Sequence, residues 1–186
     1  LGKIVNPSQL NSKWFEENKI IETNKIKLLY VGRVRIEKGI YSLIDMIEGT
    51  NIKLTIVTAE KNIILKKLNS NINLVSFENY NDSIIEFYDN HNILILPSYT
   101  EAHPQVLDEA LARIRPVIIF KEIEHVIRNR KGVFACDRSF VSLKEKIDYI
   151  LKNYLNIQNE IKKNKLPTKS EFIKEIKNII LPETNE

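Results

Sequence analysis

Short apolar segments alternate with amphipathic segments along most of this chain, and the two kinds predict different elements. Runs rich in Ile, Leu and Val, bounded by Asn, Gly or Pro, are typical of buried strands. The run at 92–97 is continuously apolar, which indicates a strand that is buried on both faces. We predict strands at residues 25–31, 51–58, 71–77, 92–97, 116–120 and 132–136.

Apolar residues at helical spacing follow each of these strands. Asn81 or Asp82 can cap one of the helices at its first residue. We predict helices at 39–49, 60–69, 81–90, about 103–113, 122–129, 139–155, about 157–164 and 169–181.

Regular alternation of strands and helices with short loops predicts an α/β fold. The expected architecture is a doubly wound, Rossmann-like parallel sheet of six strands with helices on both faces. We place an N-terminal extension or linker at 1–24, the sheet domain at 25–155 and a C-terminal helical extension at 156–186. The helix at 169–181 has an apolar stripe that can cover a sheet edge.

Composition and charge indicate which kinds of protein and partner this sequence is compatible with. Hydrophobic residues make up 43% of the 186, enough for a packed core. The net charge is +4 without a long basic run, so we expect no nucleic-acid partner; phosphate-bearing substrates or weak attraction to anionic lipid are compatible with it. Cys136 is the only cysteine, which excludes an intramolecular disulfide and fits a reducing compartment. We interpret it as a small buried hydrophobe.

The ends of the chain and its apolar runs lead to two further expectations. No apolar run approaches the ~18 residues that a membrane-spanning helix needs. The chain begins at Leu1 without a Met, so we expect it to be part of a longer protein. We also expect a cytoplasmic location, either free or in peripheral contact with the inner face of the membrane.

In a doubly wound sheet, ligands bind where the carboxyl ends of the strands meet. The first such loop, "YVGRVRIEKGI" at 30–40, has Gly32 and Gly39 around three cations, Arg33, Arg35 and Lys38. Cations beside a helix N-terminus suit a diphosphate. A solvated loop is the alternative at this point, and the glycine spacing matches neither the dinucleotide loop nor the P-loop.

The second loop lies in "PSYTEAHPQVLDEALARIRPV", at 97–117. Pro104 suits a first helical turn, so Glu101 lies in the loop and Glu109 in the helix. Glu109 and Asp108 fall at the two borders of the apolar stripe, from where a carboxylate can accept sugar hydroxyls. The alternative is that these carboxylates merely complement the helix dipole. The apolar stripe consists of Val106, Leu107, Ala110, Leu111 and Ile114.

Together the two segments resemble the C-terminal, donor-binding domain of GT-B-fold retaining glycosyltransferases of the family-4 type. That family has a G-R-…-K-G loop and an E-x7-E motif followed by a small residue, Pro and Val. Here the loop motif ends at Lys38 and Gly39, the glutamates are Glu101 and Glu109, and the chain continues to Pro116. The resemblance covers roughly 25–155, and both motifs occur in the order and spacing of the family.

The resemblance implies a role for each matching residue. Arg33 and Lys38 would hold the donor diphosphate and stabilise the leaving nucleotide, and Glu101 would bind the donor sugar. These three would be the catalytic residues, and Glu109 would bind the ribose. The segment at 78–80 would lie beside the base. The implied donor site comprises Gly32, Arg33, Lys38, Asn79, Tyr80, Ser98, Glu101, Ala102, His103, Pro104, Gln105, Val106 and Glu109.

Several positions depart from the family pattern. The family usually has Gly-Phe-Pro where this chain has Ala102-His103-Pro104, and Gly at Ile114. A later glycine pair and glutamate fall on Lys121, Glu122 and His125. Without these glycines, the backbone would approach a ligand less closely. His103 would point toward the donor sugar, and a solvated loop side chain is the alternative. We interpret His125 as a surface helix residue and His91 as a turn residue, and neither forms a metal cluster with His103.

The resemblance implies a glycosyltransferase half that moves a sugar from a nucleotide-diphosphate sugar to a glycan or lipid-linked acceptor, with retention and without a metal cofactor. Polysaccharide or lipopolysaccharide biosynthesis is the expected setting. A preceding acceptor domain would complete the enzyme, so this chain alone would be inactive. Two alternatives stay open on the same architecture. They are a non-catalytic interaction or ligand-binding module, and a nucleotide-sugar epimerase.

Overall fold

The structure, a computed structural model, describes residues 5, 7–15, 25–60, 72–76 and 84–180. Within them the strands form one parallel sheet of six strands in the order β3-β2-β1-β4-β5-β6. This confirms the predicted doubly wound sheet. The strands are β1 (Lys27–Val31), β2 (Lys53–Thr58), β3 (Ile72–Ser76), β4 (Ile93–Leu96), β5 (Val117–Phe120) and β6 (Val133–Cys136).

The helices also follow the predicted pattern, although the helix predicted at 60–69 and the start of the one at 81–90 lie outside the described residues. Short 3₁₀ helices occur at Ser12–Phe15 and Ile36–Lys38. The α-helices are α1 (Ile40–Ile47), α2 (Ile84–Asn90), α3 (Gln105–Ala112), α4 (Phe140–Lys152), α5 (Tyr154–Ile161) and α6 (Lys169–Ile180).

Two helix predictions need correction. The segment predicted as a helix at 122–129 is a short 3₁₀ helix at Lys121–Val126, in which Ile123 leaves helical geometry. Ile123 and Val126 are both buried there, and a period of three places such residues on the same side.

The second correction is that the helix predicted at 139–155 breaks at Asn153, where α4 ends and α5 begins. Beyond the break Tyr154 is buried, and its hydroxyl donates to the backbone carbonyl of Asn92 at 2.7 Å. The break therefore lets the chain pack back against the sheet.

The core lies between the strands and the helices, and it includes part of the N-terminal segment. Leu10 and Trp14, which fall in the stretch that we assign to an extension or linker, are both buried in it. The Arg113 guanidinium donates to the Trp14 carbonyl at 3.2 Å. The backbone N–H of Lys169, at the start of α6, donates to the Leu10 carbonyl at 2.8 Å. Residues 7–15 thus pack on the sheet domain.

The strand order places the switch point between β1 and β4. The two strands pair in parallel, with Leu28 opposite Ile93 and Leu29 opposite Leu94. β2 and β3 are added on one side of β1, and the chain then crosses to add β4, β5 and β6 on the other side. The loops that follow β1 and β4 therefore leave the same edge side by side, which is where ligands of such sheets bind.

Candidate functional site

The two loops at the switch point are fastened to each other. The backbone N–H of Tyr99 donates to the Glu37 carbonyl at 3.0 Å. Gly39 has φ 66°, and a Cβ at this position would lie 1.8 Å from the Pro97 carbonyl oxygen. Because no side chain fits there, glycine is what allows α1 to begin directly against the second loop.

This close approach brings Lys38 and Glu101 together. The Lys38 Nζ lies 2.6 Å from the Glu101 Oε1, and the Ser98 hydroxyl donates to the same oxygen at 2.8 Å. Both charged side chains are partly buried. A cation and a carboxylate thus share one wall of the site, where a ligand that has both phosphates and hydroxyls would meet them together.

The three cations of the first loop separate into two groups. Arg33 is exposed, and its guanidinium makes no ion pair within the part of the chain that the structure describes, whereas Arg35 lies 3.3 Å from Glu60. Arg35 thus has an acidic partner and does not line the cavity at the switch point. The Tyr30 hydroxyl donates to the Arg33 carbonyl at 2.6 Å, and burial raises the pKa of this phenol.

Glu109 is buried rather than exposed at the border of the apolar stripe. Its Oε2 accepts a hydrogen bond from the Tyr88 hydroxyl at 2.7 Å. Burial raises the pKa of this carboxyl, while the hydrogen bond from Tyr88 acts in the opposite direction. A buried carboxylate that accepts a hydrogen bond from a tyrosine is more than a solvated charge that complements a helix dipole.

Asp108, which we expected at the other border, is also buried. The Arg130 guanidinium donates to both of its carboxylate oxygens, at 2.6 and 2.9 Å. The pair fastens the first turns of α3 to the segment before β6, so Asp108 has a structural role in addition to any effect on the helix dipole.

His103 lines the cavity, and its ring turns Nε2 into the protein. This atom is buried 3.6 Å from Asp108 Oδ2 and has no hydrogen-bond partner in the described residues. Burial lowers the pKa of the ring. His125 is exposed as predicted, but its Nε2 lies 2.8 Å from the Glu101 carbonyl oxygen, so it supports the second loop. The turn residue His91 contacts Thr55 Oγ1 at 2.8 Å through its Nε2.

Lys121, Glu122 and Ile114 occupy three positions where glycines were expected, and none of them lines the cavity at the switch point. Lys121 and Glu122 are exposed, and they pair with Asp137 at 2.8 Å and with Arg138 at 2.6 Å. Ile114 follows the other end of α3 and has φ 57°, which is the left-handed region. Glycine at this position would relieve backbone strain.

A cavity of about 1160 Å³ lies between these groups, a size in the range of cofactor and substrate sites. Ala102 is exposed and is not among its lining residues, while Asn79 and Tyr80 lie outside the described residues. The residues predicted for the donor site that line the cavity are Gly32, Arg33, Lys38, Ser98, Glu101, His103, Pro104, Gln105, Val106 and Glu109.

The sequence interpretation missed other parts of the site. Gln9, Asn11 and Trp14 from the N-terminal segment line the cavity, and so do Ile84 and Ile85 of α2. We assigned the N-terminal residues to a linker, and its single Trp is the signal that they pack on a domain. An apolar start to the helix after β3 is the corresponding signal for α2.

Arg138 is a second residue that we missed, and it supports the loop after β4 from behind. Its guanidinium donates to the carbonyls of Pro97 at 2.9 Å and Ser98 at 3.2 Å, and it stacks 4.0 Å over the Tyr99 ring. A cation directly after β6 was the available signal, because the loops after parallel strands converge at one edge.

The remaining features concern metals, membranes and the thiol. The described residues contain no group of three or more His, Cys, Asp or Glu side chains arranged to hold a metal ion. Among them, no helix has the length and apolar character required to cross a bilayer. Cys136 is buried, and burial raises the pKa of its thiol to about 11, which fits a small hydrophobe.

A doubly wound sheet with this loop pair and cavity is the architecture of one half of a GT-B-fold glycosyltransferase. The family model of the glycosyl transferases group 1 matches residues 12–166. The chain therefore belongs to the glycosyl transferases group 1 family. A curated relative, the capsular polysaccharide biosynthesis glycosyltransferase CapM of Staphylococcus aureus, is 30% identical over 159 residues, which are 77% of this chain and 41% of CapM.

Solved structures are similar in fold. WaaG, a glycosyltransferase involved in lipopolysaccharide biosynthesis, matches with a TM-score of 0.71 and 19% identity, covering 97% of this chain and 56% of WaaG. Anabaena HepE in complex with UDP-glucose matches with a TM-score of 0.59 and 16% identity, covering 74% and 42%. The chain thus spans about half the length, or less, of these relatives.

Proposed function

We propose that this chain is the donor-binding half of a retaining glycosyltransferase, which transfers a sugar from a nucleoside-diphosphate sugar to an acceptor. The observation that carries the proposal is the placement of Arg33, Lys38, Glu101 and Glu109 around one cavity at the switch point of the sheet. Two cations and two carboxylates in this arrangement match the charges and hydroxyls of such a donor.

The cations are assigned to the diphosphate. Lys38 is held beside Glu101, and Arg33 is exposed at the cavity with no ion pair among the described residues. Arg binds two phosphate oxygens at once, and Lys acts as a mobile point charge. Both would stabilise the negative charge that develops on the departing nucleotide, which is an electrostatic form of catalysis.

The carboxylates are assigned to two different parts of the donor. Glu101 is the sugar ligand, aided by the backbone at 102–104, and Glu109 is the ribose ligand. The two have separate partners, Lys38 for one and Tyr88 for the other. Separate environments support two contacts to one donor rather than the acid/base pair of a glycosidase. Asn79 and Tyr80 would lie beside the base.

The names of the relatives support a biosynthetic setting for the proposed reaction. CapM carries capsular polysaccharide biosynthesis in its name, and HepE was solved in complex with UDP-glucose. We propose a glycan or lipid-linked acceptor, bound by a second domain that precedes this one in the full-length protein. The proposed location is the cytoplasm, where the protein would also contact the inner face of the membrane peripherally. The proposed reaction uses no metal cofactor.

Titration calorimetry tests the binding half of the proposal. The 186-residue chain is titrated with UDP-, GDP- and ADP-sugars, and one of them is expected to bind without transfer of its sugar. Arg33→Ala and Lys38→Ala should each weaken that binding about tenfold or more, because each loses a charge-assisted contact to phosphate.

Arg35→Ala is the matched control for Arg33→Ala. Arg35 lies in the same loop and pairs with Glu60, so its loss should change the affinity by less than about twofold. The absence of heat with all three donors would overturn the proposed function. Equal losses for Arg33→Ala and Arg35→Ala would remove Arg33 from the site.

A further inference from the structure

The Glu109 carboxylate has unequal surroundings on its two oxygens. The Tyr88 hydroxyl donates to Oε2 at 2.7 Å. Oε1 has no hydrogen bond within the described part of the chain, although Glu109 lines the cavity and is 6% exposed. One oxygen is therefore held by the protein, and the other is left to accept hydrogen bonds from a ligand.

Tyr88 is itself held in place by burial and by contacts with Arg115 and Trp14. It is fully buried, and its backbone carbonyl accepts a hydrogen bond from Arg115 Nε at 2.9 Å. The Trp14 ring packs against its ring edge to face, with centroids 5.5 Å apart and an interplanar angle of 71°. Because the ring cannot swing away, the direction of its hydroxyl is fixed relative to α3.

We propose that Tyr88 is a positioning residue, which orients the Glu109 carboxylate so that its second oxygen accepts hydrogen bonds from the ribose hydroxyls of the nucleotide. The inference rests on the proposed function, since it assumes a nucleoside diphosphate in the cavity. Tyr88 does not line the cavity and acts on the ligand through Glu109. Its hydrogen bond also favours the ionised carboxylate, which is the stronger acceptor.

Removal of the ribose hydroxyls gives a readout that a purely structural role would not change. The probes are the nucleoside diphosphate that binds best among UDP, GDP and ADP, and its 2′,3′-dideoxy counterpart. Tyr88→Phe removes only the hydroxyl and keeps the ring that packs on Trp14. It should weaken the ribose-containing probe about fivefold and the dideoxy probe by less than about twofold.

The same comparison in a Glu109→Ala background tests whether Tyr88 acts through Glu109, because alanine leaves no carboxyl for Tyr88 to orient. Glu109→Ala alone should weaken the ribose-containing probe and spare the dideoxy probe, and adding Tyr88→Phe should change the affinity no further. Tyr149→Phe is the matched control. Tyr149 is 52% exposed on α4 and outside the cavity lining, so both probes should bind as they do to the parent chain.

The outcomes separate the inference from the function on which it rests. If the parent chain binds none of the three nucleoside diphosphates, the proposed function fails and the inference with it. If the parent chain binds and Tyr88→Phe leaves both affinities unchanged, or weakens both probes equally, the role of Tyr88 is overturned while the proposed function stands.

Discussion

Charged groups lie beside helix α3 in two places, at its C-terminal end and next to the cavity. The two groups differ in how many hydrogen-bond and ion-pair partners the protein gives them. At the far end Arg113 donates to both oxygens of Asp89, at 2.9 and 2.7 Å. The fully buried Arg115 donates to the carbonyls of Tyr88 and Arg113 at 2.9 and 2.8 Å. These donors all have acceptors within the protein. We call Asp89, Arg113 and Arg115 the far-end cluster.

On the cavity side, the buried carboxylate of Glu109 and the exposed guanidinium of Arg33 have fewer partners. Glu109 receives one hydrogen bond, and Arg33 has no ion pair among the residues that the structure describes. Burial of charge therefore does not distinguish a site from a structural element in this fold. A charged group that lacks protein partners and lies beside a cavity does indicate a site, because a ligand can supply the missing partners.

The far-end cluster should give the largest change in stability. Asp89→Ala leaves two buried guanidinium groups without their carboxylate, and we expect the free energy of unfolding to fall by about 3–5 kcal/mol. Urea unfolding followed by circular dichroism measures this change.

Asp148→Ala on α4 is the control for the far-end cluster. Asp148 pairs with Lys144 at the helix surface and its side chain is 56% exposed, so its loss should cost about 0.5 kcal/mol or less. A loss for Asp89→Ala no larger than that of Asp148→Ala would contradict the structural role of the cluster.

Substitution of Glu109 beside the cavity should stabilise the fold and weaken nucleotide binding. Glu109→Gln removes a buried charge but keeps an acceptor for Tyr88, so we expect the free energy of unfolding to rise by about 1 kcal/mol. Nucleotide affinity should fall about tenfold, since a charged acceptor is lost. Glu145→Gln, the same change on an exposed position of α4, should leave the affinity unaltered. A less stable Glu109→Gln variant would show that the charge stabilises the fold.

The pH dependence of this stability difference has a defined direction. Burial raises the pKa of Glu109 above its ordinary value of 4.5 in the folded protein. The folded state therefore holds the proton more tightly than the unfolded state, and parent stability gains as pH falls through the folded pKa. The gain in the free energy of unfolding of Glu109→Gln over the parent chain should be largest above the folded pKa. It should shrink as pH falls toward 4.5 and stay constant below pH 4.5.

The fold was predictable from the sequence because hydrophobic periodicity reports burial directly. The continuous run at 92–97 became β4, which is buried throughout. The break at Asn153 was not predictable, because it depends on the bond from Tyr154 to the Asn92 carbonyl, a contact between distant parts of the chain. The same limitation explains the 3₁₀ helix at Lys121–Val126.

Most cavity residues were predictable from motif spacing, whereas their partners were not. The sequence places Lys38 and Glu101 in loops at one sheet edge, but their 2.6 Å contact depends on the close approach at Gly39. Arg35 occurs in the same loop as Arg33, and only the position of Glu60 separates their roles. Tyr88 lies in a predicted helix whose buried face does not reveal a hydrogen bond to Glu109.

A change in stability without a change in binding is expected just beyond α3, where Ile114 has φ 57°. Left-handed backbone costs a residue with a Cβ about 1–2 kcal/mol, and glycine avoids this cost. Ile114→Gly and Ile114→Ala both remove most of the side chain, but only alanine keeps the strained Cβ. We therefore expect the glycine variant to be more stable by about 1 kcal/mol in urea unfolding, the reverse of their order inside a helix. Nucleotide affinity should be equal in the two variants, because Ile114 does not line the cavity. If alanine is the more stable, the left-handed conformation at Ile114 is incorrect.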